Sequence, residues 1–327
     1  MNLKCNIYEN ADVRVEEAAP VAATEGNCRF AVKACGICGS DIPRVFANGA
    51  YFYPIVLGHE FAGIVTDSTD KAKIGRRACV FPILPCGKCD ACAREDWASC
   101  AQYGYYGSRR DGGMQSELLI KEENLIYLPD GVSYEAGAMI EPMAVCLHAM
   151  KKASIKQGDV VAIWGAGAIG LICGMWARSM GASRVLFFDP DARRMAFAGE
   201  LGFEALADET ADVCVDASGA SPALNAAIAH TRAQGRVVLV GNAHGDMTID
   251  KATYSTLLRR QLTLVGSWNS DHKSDVDDWR ESVEAIADGR IAPEALITHR
   301  FELERADAAF RLIGERCEFY NKIMVVM

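Results

Sequence analysis

The chain has no uninterrupted apolar run near the roughly 18 residues that a membrane-spanning helix needs, which excludes such a span. Its first residues, MNLKCNIYENADVRV, lack the apolar segment of a secretion signal and read as a strand. Excess basic charge is missing too: a net charge of −9 argues against nucleic acid or an anionic membrane as partner. Internal repeats and low-complexity tracts are absent. The expectation is a cytoplasmic protein that meets small molecules. Its 327 residues exceed one ordinary core, so about two domains are expected.

Cysteine, by contrast, is plentiful. The 13 cysteines are an odd number in a chain without a secretion signal, which points to thiols and metal rather than disulfides. Cys86, Cys89, Cys92 and Cys100 are spaced C-x2-C-x2-C-x7-C. Four thiolates on one short loop close a tetrahedral zinc site with no open position, a structural arrangement. An iron–sulfur cluster uses similar spacing, but no second cluster motif accompanies it, and zinc is favoured. Cys38, in GICGSD, and His59, in GHEFAG, are zinc-type ligands flanked by glycines, with Asp41 a carboxylate suited to fix the His59 tautomer. Glu141 stands beside Pro142 after an apolar helix. A carboxylate there is costly unless paired or metal-bound, so Glu141 is a candidate third ligand.

Glycine marks a second site. Val160–Trp164 is an apolar strand, GAGAIG follows, a helix runs to Met180, and a second strand, Arg184–Phe188, ends on Asp189. Parallel strands joined by a helix form a βαβ unit. Gly165 permits the turn, Gly167 lets a backbone approach a pyrophosphate, and Gly170 lets the helix pack close. The backbone of Ala168 and Ile169 then opens the helix whose N-terminus takes the phosphates. Asp189, about 20 residues on, suits a ribose 2′-hydroxyl. Arg193 and Arg194 are the argument for NADP; with Asp191 adding negative charge, NAD is favoured.

Beyond Asp189 the pattern predicts helices over 191–201, 222–233 and 276–288 and strands over 203–207, 213–217, 236–241 and 262–268. The last of these is an apolar edge strand suited to pairing with a second copy, giving a homodimer or homotetramer. Arg44, Arg109, Arg110 and Lys273 are cations whose convergence in an acidic chain suggests an anionic substrate, with plain surface solvation the alternative for each.

GICGSD, GHE, the four-cysteine lobe, Glu141-Pro142 and GAGAIG occur in the order seen in the zinc-dependent medium-chain alcohol and polyol dehydrogenases, which the chain resembles over nearly its whole length. CGSDIPRVFANGAYFYPIVLGHEFAG, GSRRDGG, LLRRQLTLVGSW and the ITHRFEL segment point to the members that act on sugar alcohol phosphates. The resemblance implies an α/β protein: a chaperonin-10-like β-rich catalytic domain over 1–145 and 271–327, and a doubly wound Rossmann domain over 146–270. It implies two zinc ions per chain and NAD. Cys38, His59 and Glu141 would hold the catalytic zinc, Glu60 would be an exchanging ligand, and Ser40 would relay a proton. A hydride would pass from a secondary hydroxyl to NAD in the cleft between domains. A neutral polyol substrate and a non-catalytic relative remain alternatives. One departure stands out. Gly202 is followed about eleven residues later by Val213, where family members carry a strand–loop–helix insert. A crossover of about a dozen residues or more is usual, so 203–207 is expected to be a stub or an edge strand on a bare link, truncating the sheet on its adenine side.

Overall fold

The computed structural model describes residues 1–243 and 245–327. They form two compact units, one of Met1–Glu141 with Asp271–Met327 and one of Pro142–Ser270. Among the described residues no helix is long and apolar enough to cross a membrane.

The first unit is organised on the strand Asn27–Gly36. Cys28, Phe30, Val32 and Ala34 alternate into the core, as a half-buried strand requires. Glu60–Asp67 pairs antiparallel along one edge. The other edge is shared by Glu117–Lys121 and Lys322–Val326. Gly36 faces Glu60 across the ladder. Cys38, two residues on, and His59, one residue back, therefore emerge at the same end of neighbouring strands. A Cβ at position 36 would collide with the Glu60 carboxylate and the Lys322 side chain, so any larger residue there would displace that pair.

The second unit is a six-stranded parallel sheet in the order Glu204–Ala205, Arg184–Phe188, Val160–Trp164, Ala211–Asp216, Thr231–Leu239, Thr263–Gly266. That order reverses direction beside Val160–Trp164, the doubly wound Rossmann topology. Ile163, Phe187 and Val215 are fully buried, and the Trp176 indole donates to the Met143 carbonyl at 3.0 Å. The helix Lys251–Arg259, capped by the Asp250 side chain, was not expected from the apolar pattern.

The shortened stretch is an edge strand on a bare link. Ala205 is level with Phe187, Ile163 and Val215, so the chain must cross three strand spacings and drop four residues to reach Ala211. Such a path is about 19 Å, against about 21 Å for six fully extended Cα steps. A helix has no room here. Instead Leu206 N donates to the Phe187 carbonyl at 2.8 Å, and Glu209 holds Arg184 and its own Ala207 amide at 3.3 and 3.0 Å.

Candidate functional site

Ligand atoms of Cys38, His59 and Glu60 all lie within 4.8 Å of one another. His59 and Glu60 are 4% and 1% exposed. Asp41 is fully buried behind them, one oxygen accepting the Cys38 amide at 3.1 Å and the other 3.7 Å from His59 Nδ1. Asp41 Oδ1 and His59 Nδ1 are buried without a hydrogen-bond partner, and Glu60 Oε2 has Lys322 as its counter-charge. A thiol, an imidazole and a carboxylate so close together, with polar atoms left unsatisfied, suit a zinc ion. Glu141 stands outside this cluster, its carboxylate accepting the Tyr105 hydroxyl at 3.1 Å. The structure thus brings Glu60, the expected exchanging ligand, next to Cys38 and His59 and sets Glu141 on Tyr105.

The electrostatics are those of a negative pocket. Burial disfavours a charged His59, yet Cys38 and Asp41 hold its pKa up at about 10. Burial pushes the Glu141 carboxyl up to about 7 against the pull of His59. Burial likewise raises Asp41. Groups that retain protons in this way share an excess of negative charge, which a bound cation would balance.

The helix Asp41–Phe46 carries the remaining polar groups of this end. Ser40 Oγ lies 3.4 Å from Cys38 Sγ and accepts from Arg44 Nη1 at 3.1 Å. The same Arg44 nitrogen donates to the Ser40 carbonyl at 2.6 Å and lies 3.6 Å from Asp41. Arg109 donates to the Tyr103 carbonyl at 2.9 Å and stacks on the Tyr103 and Tyr51 rings. Arg110 is exposed, and Lys273 pairs with Asp271 at 2.9 Å. Of the four cations, Arg44 is the one whose contacts fall on the Cys38 loop.

In the lobe, the sulfurs of Cys86, Cys89, Cys92 and Cys100 lie within 4.8 Å of one another, and all are free thiols. A backbone hydrogen bond from Cys92 lowers Cys89 to about 6, whereas burial lifts Cys92 to about 11. Four sulfurs at this separation fit a closed tetrahedral metal site.

In the second unit, Gly165 has φ +106, and a Cβ on Gly170 would strike the Gly165 carbonyl. These two glycines are steric necessities. Around Gly167 a Cβ would meet only Arg194, at 3.6 Å. The helix Ala168–Ser179 opens without a side-chain cap or an acidic residue in its first turn, leaving its end ready for an anion. Asp189 accepts the amides of Ala166 and Asp191, both at 2.9 Å, and lies 3.6 Å from Arg194. Arg193 is held by Asp191 at 2.8 Å.

Two residues of the metal end were not anticipated. Tyr105 stacks edge-on to His59 at 5.5 Å besides binding Glu141. Lys322 pairs with Glu60 and donates to the Ile37 carbonyl. A lone lysine opening the apolar run KIMVV was a legible signal; Tyr105, inside an aromatic loop, offered none.

Residues 24–130 match the family model of the alcohol dehydrogenase GroES-like domain, and residues 168–288 that of the zinc-binding dehydrogenases. Galactitol 1-phosphate 5-dehydrogenase of Escherichia coli is 32% identical over 96% of this chain and 96% of its own length. The crystal structure of the galactitol-1-phosphate dehydrogenase from Escherichia coli superposes with a TM-score of 0.91 at 30% identity, covering 99% of this chain and 100% of that one. D-arabitol-phosphate dehydrogenase of Enterococcus avium is 33% identical over 93% of this chain and 90% of its own length. A zinc-binding dehydrogenase from Sinorhizobium meliloti, bound to NADP, superposes with a TM-score of 0.90 at 25% identity, covering 100% of this chain and 99% of that one.

Proposed function

This chain belongs to the zinc-dependent medium-chain dehydrogenases, alcohol and polyol oxidoreductases that use zinc and a nicotinamide cofactor, and on that premise we propose that it oxidises a secondary hydroxyl of a sugar alcohol phosphate with NAD, giving a ketose phosphate. Galactitol 1-phosphate is the first substrate to try, on the similarity to the Escherichia coli enzyme. The observation that carries the phosphate is the loop holding Arg109 and Arg110. Its Tyr105 touches Glu141, and among the described residues neither arginine pairs with a carboxylate.

In this reading Cys38 and His59, with Glu60 or Glu141, hold the catalytic zinc, and Cys86, Cys89, Cys92 and Cys100 a structural one. Zinc at the first site supplies Lewis-acid polarisation of the substrate oxygen. Asp41 Oδ1, 3.7 Å from His59 Nδ1, would favour a proton on that nitrogen and leave the lone pair of the other ring nitrogen for the metal. Ser40 Oγ, pinned by Arg44, moves the hydroxyl proton outward. A bound nicotinamide would supply the hydride chemistry, and the chain's own part is position and charge. The uncapped start of the helix Ala168–Ser179 would receive the cofactor's phosphates, and Asp189 would disfavour a 2′-phosphate. Arg193, neutralised by Asp191, offers little to NADP.

A neutral polyol is the second reading, favoured by the engagement of Arg44 and Lys273 with their own neighbours. Initial rates with phosphorylated and free polyols, each with NAD+ and NADP+, test both parts. The phosphate ester with NAD+ is expected to have the highest kcat/KM. A higher value for the free polyol overturns the substrate, and a higher value with NADP+ the cofactor.

A further inference from the structure

We propose that Arg109 receives the terminal oxyanion of the substrate and thereby sets the preference for a charged over a neutral polyol. This rests on the reading above and names the one arginine of the set that does the work. Its guanidinium lies between two rings, 4.1 Å from the Tyr103 centroid and 5.2 Å from that of Tyr51. Stacking fixes the plane of the group and leaves its donor edge open. One nitrogen donates to the Tyr103 carbonyl at 2.9 Å. An arginine has five N–H donors, and no other acceptor or carboxylate contacts this one among the described residues. In a chain with 43 aspartates and glutamates, a half-buried arginine without an acidic partner is ready for an acid from outside.

Arg44 is the contrast. Its Nη1 is committed to the Ser40 carbonyl and hydroxyl and lies near Asp41. It is a positioning residue for Ser40. Arg110 is exposed, and among the described residues no ring stacks on it.

The mounting of Arg109 also links it to the metal end. Tyr103 meets Tyr105 at 6.1 Å, and Tyr105 meets His59 at 5.5 Å. Arg109 therefore terminates a row of rings that begins at His59. Tyr51, 68% exposed, lays its ring against the guanidinium. A guanidinium fork accepts a phosphate monoester or a carboxylate, so the shared chemistry is a terminal oxyanion, and the two sources are separated by experiment.

The test uses the zinc-loaded full chain and steady-state kinetics on galactitol 1-phosphate, a six-carbon aldonate and galactitol. Arg109→Gln is expected to raise KM for the preferred anion about tenfold or more, with kcat within about twofold and KM for galactitol unchanged. Arg109→Lys recovers part of the loss, because an ammonium lacks the fork. Tyr51→Leu raises the same KM about two- to fivefold, because one face of the stack is gone. The anion with the lower wild-type KM identifies the source. A wild type that prefers the phosphate ester and loses nothing in Arg109→Gln overturns the assignment to Arg109 alone. Equal KM increases on galactitol make the residue structural and also overturn it. Turnover of neutral polyols only overturns the functional reading and this inference together. If Arg109→Gln does not fold, Arg109→Lys and Tyr51→Leu decide: an unchanged anion KM in both overturns the proposal.

Discussion

Lys322 and Glu60 form an ion pair that solvent hardly reaches, their side chains 4% and 1% exposed. Burial alone would drive the lysine neutral, but Glu60 and Cys38 hold its pKa above the ordinary value. Removing one partner of such a pair strands a buried charge and costs about 3–5 kcal/mol. Lys322→Met is expected to lose stability of this order in metal-free protein, and less with zinc bound, since a cation can take over Glu60. Denaturant unfolding with and without chelator measures the difference. The same loss in both states would count against Glu60 as a ligand.

Elemental analysis should find two zinc ions in each fully active chain. Cys89→Ser is expected to lose the lobe ion together with stability, since structural zinc contributes directly to folding. Cys38→Ser should keep the fold and abolish turnover. One metal per fully active chain would falsify the assignment.

Wild-type protein should prefer NAD+ to NADP+, and Asp189→Ser should narrow that preference. Asp189 also receives the Ala166 and Asp191 amides, so the variant is expected to weaken binding of both cofactors somewhat. The ratio of the two kcat/KM values is the quantity to follow. An unchanged ratio removes Asp189 from the discrimination.

Asp277 caps the helix Asp278–Ala287 by accepting the Trp279 and Arg280 amides, and it meets His272 Nδ1 at 3.0 Å. Burial pushes its carboxyl up, but His272 and the amide outweigh this and the net pKa is lowered. A depressed folded value means its stabilisation is complete above the unfolded value, near 3.9, and is lost as pH falls through the lower folded value. Asp277→Ala should cost about 1 kcal/mol near neutrality. The gap between its unfolding midpoint and the wild type's should close in acid below about pH 4. A gap that stays constant down to pH 2.5 would show that the charge contributes nothing.

Among the described residues Thr263–Gly266 is an edge strand, paired only to Thr231–Leu239. We propose that it pairs with a second copy. Light scattering should report at least a dimer, and Val265→Pro, which removes an N–H and stiffens the edge, should shift it toward monomer. A monomeric wild type at working concentration refutes the pairing.

The glycine turn, Asp189 and the four-cysteine lobe were legible because each is local: the chemistry needs particular residues at fixed spacing. Cys38 and His59 were legible for a related reason, since glycines flank them at the ends of two strands that pair. What the sequence concealed is non-local. That Glu60 stands closer to Cys38 and His59 than Glu141 does depends on Gly36 facing Glu60 across a ladder. That Arg44 lies on Ser40 and Asp41 while Arg109 lies between two tyrosine rings depends on which carbonyls and rings surround them, which spacing does not encode. The helix Lys251–Arg259 was missed because most of its face is exposed and its apolar stripe is thin, although Asp250 followed by Thr253 was a usable cap signal.

The pairing of Asn27–Gly36 with Lys322–Val326 has a consequence for biosynthesis. A ribosome delivers Ile37 long before Lys322, its partner 285 residues later. The second unit, continuous from Pro142 to Ser270, has all its strands in hand well before then. The first does not: one edge of its central strand stays open, and Glu60 waits without its counter-charge. A nascent chain stalled before Lys322 would thus carry a complete second unit, while in the first unit the Cys38–His59–Glu60 pocket would lack one wall. That pocket reaches its native charge balance only when the late strand docks.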